Sequence, residues 1–345
     1  VDVQADTIRV AGCGDMSGDV FGNGMLLSKA IQLVAAFDHR HIFLDPNPDP
    51  AKSWKERERM FALPRSSWAD YNAKLISKGG GIFPRSQKSI PLSPEVQALL
   101  GLSVAEIDPG ALISAILKAP VDLLWFGGIG TYIKAASQNN AEVGDPANDA
   151  LRVDAEDLRV RAIGEGANLG VTQAARIAFS AKGGRINTDF IDNSAGVDCS
   201  DNEVNIKIAL NREMAEGRLA QDARDALLVR MTDNVSELVL EDNRLQALAL
   251  SIAEKGGSAA VASYVRLMET FETTGRLDRK VEGLAANDEL LRRAAEGRGL
   301  TRPELAVLLS TAKLALQDAI EHSSLPDDPA LGSDRAAASP ADMPR

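Results

Sequence analysis

Cysteine and histidine are scarce in this chain. Two cysteines among 345 residues rule out a disulfide framework and fit a reducing compartment, so a cytoplasmic protein is expected. Three histidines, His39, His41 and His322, are too few for a histidine-rich metal centre, and no metal is expected. Basic residues are outnumbered: 38 Lys and Arg against 49 Asp and Glu give a formal net charge of −11. That balance argues against nucleic acid as the main partner, because phosphate contacts need clustered Lys and Arg. No run approaches the roughly 20 apolar residues of a membrane span. No basic-then-apolar leader precedes the first motif.

What is present is enough apolar residue, 45%, to build a sizeable core, in a length that suits about two domains. Thr7–Ala11 reads as a buried strand running into Gly12-Cys13-Gly14. Apolar residues at helical spacing predict a helix over Ser17–Ala36, and His39–Asp45 reads as a second strand. Strand, glycine turn, helix, strand opens a βαβ unit and predicts a parallel sheet. The proline-rich stretch 46–106 reads as an elaborated crossover with short helices near Ser53–Phe61 and Trp68–Ser77. Further on, Ala111–Lys118 and Thr172–Ala181 read as helices. Val121–Phe126, Arg159–Ile163 and Arg185–Ile191 read as strands. The expected architecture is an α/β, Rossmann-like nucleotide-binding domain with a mainly parallel sheet over 1–205. An all-α region over 206–330 and a loose tail over 331–345 follow. In the helical part, Leu227, Met231, Val235 and Leu238 share a face, as do Val261, Tyr264, Met268 and Phe271. Thr301-Arg302-Pro303-Glu304 is a capping box.

Four segments could carry chemistry. A dinucleotide turn needs glycine for the tight bend, glycine for close approach of the pyrophosphate, and a small residue where helix meets strand. Gly12 and Gly14 meet the first two needs, and Ser17 or Gly18 the third. Asp15 puts a carboxylate beside that phosphate position, which is repulsive unless it bonds something else. Asp45, 33 residues beyond Gly12, is placed to bind the adenine ribose and favour NAD over NADP if it ends the second strand; a helix or turn cap is the other reading. Gly164 to Thr172 follows a strand, and its Asn168 offers donors and an acceptor; a plain glycine-rich loop is the alternative. Asp192 to Ser200 reads as a loop of small polar residues suited to a small substrate, or as a turn with an N-cap at Ser200 or Asp201. Cys13 reads as a small buried filler, and Cys199, with no adjacent histidine, is not a nucleophile. His39 and His41 share a strand face. The Lys55–Arg59 run reads as a solvated helix face.

Taken together, VAGCGDMSGDVFGNGMLLS, AAFDHRHIFLDPNPDP, VDLLWFGGIGTYIK, GEGANLGVTQAARI and GGRINTDFIDNSAGVDCSDNEVNIK resemble the large bacterial NAD-specific glutamate dehydrogenases. RGLTRPELAVLL in the helical part fits the same family. The resemblance implies NAD as cofactor and puts Gly12, Gly14 and Asp15 in its nucleotide turn; with Asn168, and with Ser17, Gly18, Asp45 and Gly128 from the residue reading, these are the expected cofactor-binding residues. Asn168 would lie near nicotinamide and substrate. It implies that Val197 and Ser200 line the pocket for the glutamate side chain. Smaller relatives commonly carry Asn at the position of Asp15. The implied reaction is oxidative deamination of L-glutamate to 2-oxoglutarate and ammonium, and the implied assembly is a homo-oligomer.

The same resemblance assigns the catalytic lysine and acid to a substrate domain that precedes the nucleotide domain in this family. No residue of this chain is therefore expected to be catalytic, and the chain is expected to be the cofactor-binding portion of a longer enzyme. A non-catalytic nucleotide-binding or interaction module, or a dehydrogenase for another amino acid, are the competing readings.

Overall fold

The computed structural model describes residues 1–128 and 130–331. The chain divides into two compact units, 1–189 and 190–345, earlier than the change of composition near residue 205. The loose tail expected over 331–345 lies, beyond Leu331, outside the described residues. Among the described residues no helix is long and apolar enough to cross a membrane, and no cluster of three or more His, Cys, Asp or Glu could hold a metal ion.

The first unit is built on a mixed six-stranded sheet. Its strands are β1 (Ile8–Cys13), β2 (Ile31–Phe37), β3 (His41–Leu44), β4 (Gly81–Pro84), β5 (Leu123–Phe126) and β6 (Ala162–Glu165), in the spatial order β6-β5-β1-β2-β3-β4. β1 pairs in parallel with β2 and β5, and β5 in parallel with β6. β3 and β4 add on antiparallel. The expectation of a parallel second pair is therefore corrected beyond β2. Only Asp38, His39 and Arg40 separate β2 from β3, too few residues for a crossover, so the chain can only reverse.

The helix expected over Ser17–Ala36 is also corrected. Helix α1 covers Asp19–Leu26 and the chain then turns into β2. Ser28 makes that turn: its Oγ accepts from Ala30 N–H and donates to the Val3 carbonyl. IQLVAAF is buried nearly throughout, as a strand covered on both faces must be. Its apolar spacing fits a helix as well as a buried strand, which misleads a reading by period alone.

In the long crossover, α2 (Pro50–Phe61) starts at the N-cap Asp49, α3 (Pro94–Leu100) at Ser93 and α4 (Pro109–Leu117) at Asp108, each with proline in the first turn. The Lys55–Arg59 run is not wholly solvated. Arg57 is 1% exposed and donates to the carbonyls of Met25 and Ile31 and to Ser53 Oγ. Burial lowers its pKa to about 10. Trp68 stacks on Phe43, and Tyr71 packs against the same ring at a tilt, to close one face of the sheet. The strand expected at Arg185–Ile191 is a single bridge from Arg185 to Ala162. Helix α5 (Gln173–Ala181) begins at the N-cap Thr172.

The second unit is helical: α6 (Ser194–Ala215), α7 (Gln221–Lys255), α8 (Val261–Thr273), α9 (Asn287–Ala295) and α10 (Arg302–Glu321). Ile206, Leu210, Leu227 and Met231 join α6 to α7. Leu250, Val261, Met268, Phe271, Leu290, Leu305 and Leu308 form a second core. The capping box at α10 forms as read, with Glu304 accepting from Thr301 N–H and Oγ.

Phe21 of α1 is 1% exposed and packs in the core beside Trp68. Phe21→Ala is expected to cost about 3–5 kcal/mol, read as a lower urea midpoint. A loss under about 1 kcal/mol would show that the ring fills no essential space.

Candidate functional site

The parallel strands end together. Cys13 is level with Phe37 and Phe126, and Phe126 with Glu165. The ladder continues one step into the loops, where Gly14 N–H donates to Phe37 O, Gly127 N–H to Cys13 O and Ala167 N–H to Phe126 O. The glycine turns after β1, β5 and β6 therefore share one edge of the sheet. Gly12, Gly14, Asp15, Ser17, Gly18, Gly128 and Asn168 gather there. β1 is flanked by β2 on one side and β5 on the other. The chain thus reverses its direction of travel across the sheet at this point, and such a switch opens a crevice.

The bare glycines first serve packing. A Cβ on Gly12 would lie 2.6 Å from Trp125 O and 2.7 Å from the Phe21 ring, and one on Gly164 would lie 2.7 Å from the Trp125 indole. Gly128 differs: its φ is +128°, and among the described residues only the Ala167 side chain comes within 4 Å of an added Cβ. That turn is open on the edge. Beneath it, Cys13 donates to Gly128 O, and burial raises the thiol to about 12, against the lowering effect of its Tyr132 hydrogen bond.

Asp15 does bond something else. Its Oδ1 accepts from Ser17 N–H at 3.0 Å, Gly18 N–H at 3.0 Å and Ser17 Oγ at 2.7 Å. The carboxylate thus occupies two backbone donors at the entry to α1.

Asp45 is not at the end of the second strand. It follows β3, which runs the other way, and its N–H pairs with Val34 O. Four residue steps, Val34 to Asp38, separate that level from Asp38, about 13 Å along an extended strand. Asp45 is fully buried, with Oδ1 accepting from Ser77 N–H and Oγ. Burial raises its pKa, partly offset by those bonds. It pins the crossover.

The acid that does follow β2 is Asp38, which the sequence reading missed. It is 2% exposed. Oδ1 accepts from Arg40 and His41 N–H, while the buried Oδ2 has no partner among the described residues, as is also true of Asp45 Oδ2. His39 lies in this turn rather than on a strand, and His41 opens β3. An acid directly after the apolar run 31–37 was the available signal, hidden by reading that run as helix.

A buried ionic network stands behind the β6 loop. Arg176 reaches Glu165 through Nε at 2.7 Å and Nη2 at 2.8 Å, and Asp189 at 3.2 Å. Burial opposes the Arg176 charge, but the hydrogen bonds and charges of Glu165 and Asp189 prevail and hold its pKa above the usual value. Glu165 also accepts from Val171 N–H at 3.1 Å, and Asp189 from Leu169 N–H at 2.9 Å. Leu169 has φ +63°, and Asn168 beside it is exposed.

Val197 and Ser200 belong to the second unit. The segment read as a loop is helical from Ser194, with Asn193 at the N-cap position instead of Ser200 or Asp201. Val197 is 61% exposed, and Ser200 Oγ donates to Gly196 O one turn back. Between them, burial and then the charge of Asp242 raise the pKa of Asp198.

An open, mostly parallel sheet that brings three glycine turns to a switch point defines an α/β protein of the ligand-binding crevice class. More particularly, the chain belongs to the family described as bacterial NAD-glutamate dehydrogenase, catalytic domain, whose model matches residues 1–253. A glutamate dehydrogenase C-terminal model matches 297–345. The chain is 55% identical over 341 residues to an NAD-specific glutamate dehydrogenase of Pseudomonas aeruginosa, covering 99% of this chain and 21% of that protein. Proteins of the same name from Halomonas elongata and Mycobacterium tuberculosis are each 52% identical, over 96% of this chain and 20% and 21% of theirs. The chain spans about a fifth of the length of these curated relatives.

Leu169 holds a left-handed conformation that disfavours a side chain with Cβ. Leu169→Gly is expected to be neutral or to raise stability by up to about 1 kcal/mol, seen as an unchanged or higher melting temperature. A clear fall would show that the leucine side chain, 65% exposed, contributes contacts that outweigh the strain.

Proposed function

We propose that residues 1–189 form a Rossmann-like, NAD-binding domain, and that the chain is the cofactor-binding and C-terminal portion of an NAD-dependent glutamate dehydrogenase. The observation that carries this reading is the meeting of the Gly12–Gly18, Gly127–Gly128 and Gly166–Gly170 turns at one switch point. The order β2-β1-β5-β6 is also the heart of a doubly wound dinucleotide fold. Family membership and the names of the relatives supply the cofactor and the substrate class: L-glutamate, 2-oxoglutarate and ammonium.

The residues fit the group. Gly14 N–H is held by Phe37 O, so the backbone N–H groups that suit a pyrophosphate are those at the entry to α1. Asp15 neutralises Ser17 and Gly18 N–H in the absence of phosphate, so phosphate binding there displaces the carboxylate or uses neighbouring donors. We assign the adenine ribose to Asp38 instead of Asp45. Position decides between them: Asp38 directly follows β2, whose last residue Phe37 accepts from Gly14 N–H, whereas Asp45 pairs back at Val34. Both acids have a buried Oδ2 without a donor among the described residues, and at Asp38 a ribose hydroxyl relieves that costly state. The Asp38 charge disfavours a 2′-phosphate. Gly128 leaves open backbone at the edge, and the exposed Asn168 carboxamide is placed to orient the nicotinamide or the substrate. Val197 and Ser200 are assigned to the glutamate side chain. The cofactor, when bound, supplies the hydride acceptor. The protein groups bind and orient, and none of them is assigned the proton transfer. The assembly is taken to be a cytoplasmic homo-oligomer.

Calorimetric titration of the purified chain with NAD is expected to show saturable binding, without glutamate oxidation at the rate of an intact enzyme. Absence of binding at millimolar NAD would overturn the domain assignment, and full-rate turnover would overturn the view of this chain as a portion. For cofactor choice, Asp38→Ser is expected to erode the preference for NAD over NADP by about 10-fold or more, one charge contact being worth roughly 1–2 kcal/mol. Asp45→Ser is expected to leave the preference unchanged and lower stability. The reverse pattern in NAD and NADP dissociation constants would return the ribose to Asp45.

A further inference from the structure

We propose that the buried Glu165–Arg176–Asp189 network is a positioning device for Asn168. This rests on the reading that a dinucleotide occupies the carboxyl edge of the sheet.

Residues 166–171 leave β6 with glycine at 166 and 170 and with no regular secondary structure between them. Such a segment has many conformations open to it. The one observed contains a leucine at φ +63°, which the segment does not favour by itself. Backbone bonds tie its two ends, Ala167 N–H to Phe126 O and Tyr132 and Ile133 N–H to Gly170 O, and three side-chain anchors hold the residues after Asn168. Leu169 N–H donates to Asp189 and Val171 N–H to Glu165. From the other side, Thr131 Oγ1 donates to Leu169 O at 2.6 Å. The backbone on the C-terminal side of Asn168 is thereby held inward, while Asn168 itself stays exposed.

Arg176 sets both carboxylates. It is 4% exposed, and Glu165 and Asp189 are 0% and 7% exposed. Its place near the start of α5 is unfavourable for a cation, since the helix N-terminus is itself positive. A buried ion pair is also a poor source of stability compared with apolar packing. The use that remains is geometric: one rigid guanidinium fork spaces two carboxylates, and each carboxylate spaces one loop N–H. Both Glu165 oxygens are engaged, Oε2 by Arg176 and Oε1 by Arg176 and Val171. Glu165 is therefore a positioning residue.

The test is a double-mutant cycle in the full-length enzyme with Arg176→Lys, Asn168→Ala and the pair, reading kcat/KM for glutamate and the NAD dissociation constant. Hydrogen exchange over residues 166–171 is followed in parallel. A misplaced group can cost up to about 100-fold, so each single variant is expected to lose about 10-fold or more in kcat/KM. The pair is expected to lose no more than Asn168→Ala alone, because placement no longer matters once the carboxamide is gone. Exchange at Leu169 and Val171 is expected to quicken in Arg176→Lys. Losses that multiply across the pair, or Arg176→Lys with unchanged kinetics and exchange, would overturn the proposal. Asn168→Ala with unchanged kinetics and NAD affinity would instead overturn the dinucleotide reading of this loop, and the proposal with it. If Arg176→Lys does not fold, Glu165→Gln replaces it in the same cycle, since the amide keeps the shape and still accepts from Val171 N–H.

Discussion

Two aromatic rings lie where glycine leaves room for them. Phe21 seats α1 against Gly12, Gly14 and Gly127, and Trp125 fills the space over Gly24, Gly164 and Gly166. Because a Cβ at most of these positions would come within 3 Å of ring or backbone, helix and strands approach more closely than side chains would permit. That close approach aligns the ends of β1, β5 and β6, and so makes one edge out of three separate loops. The glycines of these turns thus serve packing first.

Much of this was legible in the residues. The glycine turns after residues 11, 126 and 163, the helix capped at Thr172 and the capping box at Thr301 all follow from local chemistry. The polarity of the second strand pair was not legible. IQLVAAF satisfies a helical period and a buried-strand pattern equally, and tertiary burial decides between them. From that one ambiguity followed the misplacement of the second strand and the attention to Asp45 over Asp38. The helical start at Ser194 was hidden in a different way. Asp192 to Ser200 is rich in small and polar residues, which reads as a loop, yet Asn243 donates to Ile191 O and Ser194 Oγ and ties the helix start to α7.

Charge burial was the other feature that composition concealed. Arg57 and Arg176 sit among residues whose pattern reads as solvated surface or ordinary helix. They are tolerated because each finds several acceptors: carbonyls in the first case, carboxylates in the second. The two differ in kind. Arg57 joins α2 to the turn between α1 and β2 with neutral partners, and burial lowers its pKa. Arg176 is surrounded by opposite charge and remains cationic. The first is a stitch through the core, and the second spaces a loop.

The unequal halves of the sheet differ in the chain entropy of their closure. β2 and β3 meet across three residues, so their pairing closes a short loop. β1 and β5 are joined by contacts such as Arg9 N–H to Asp122, 113 residues apart in the chain. Loop closure grows costlier with length, and non-local parallel pairing is slow to form. The crevice lies on the far side of that difference: its wall at β2 belongs to the local half and its walls at β5 and β6 to the non-local half. The edge that gathers the glycine turns is therefore complete only when the most distant segments of the unit have come together.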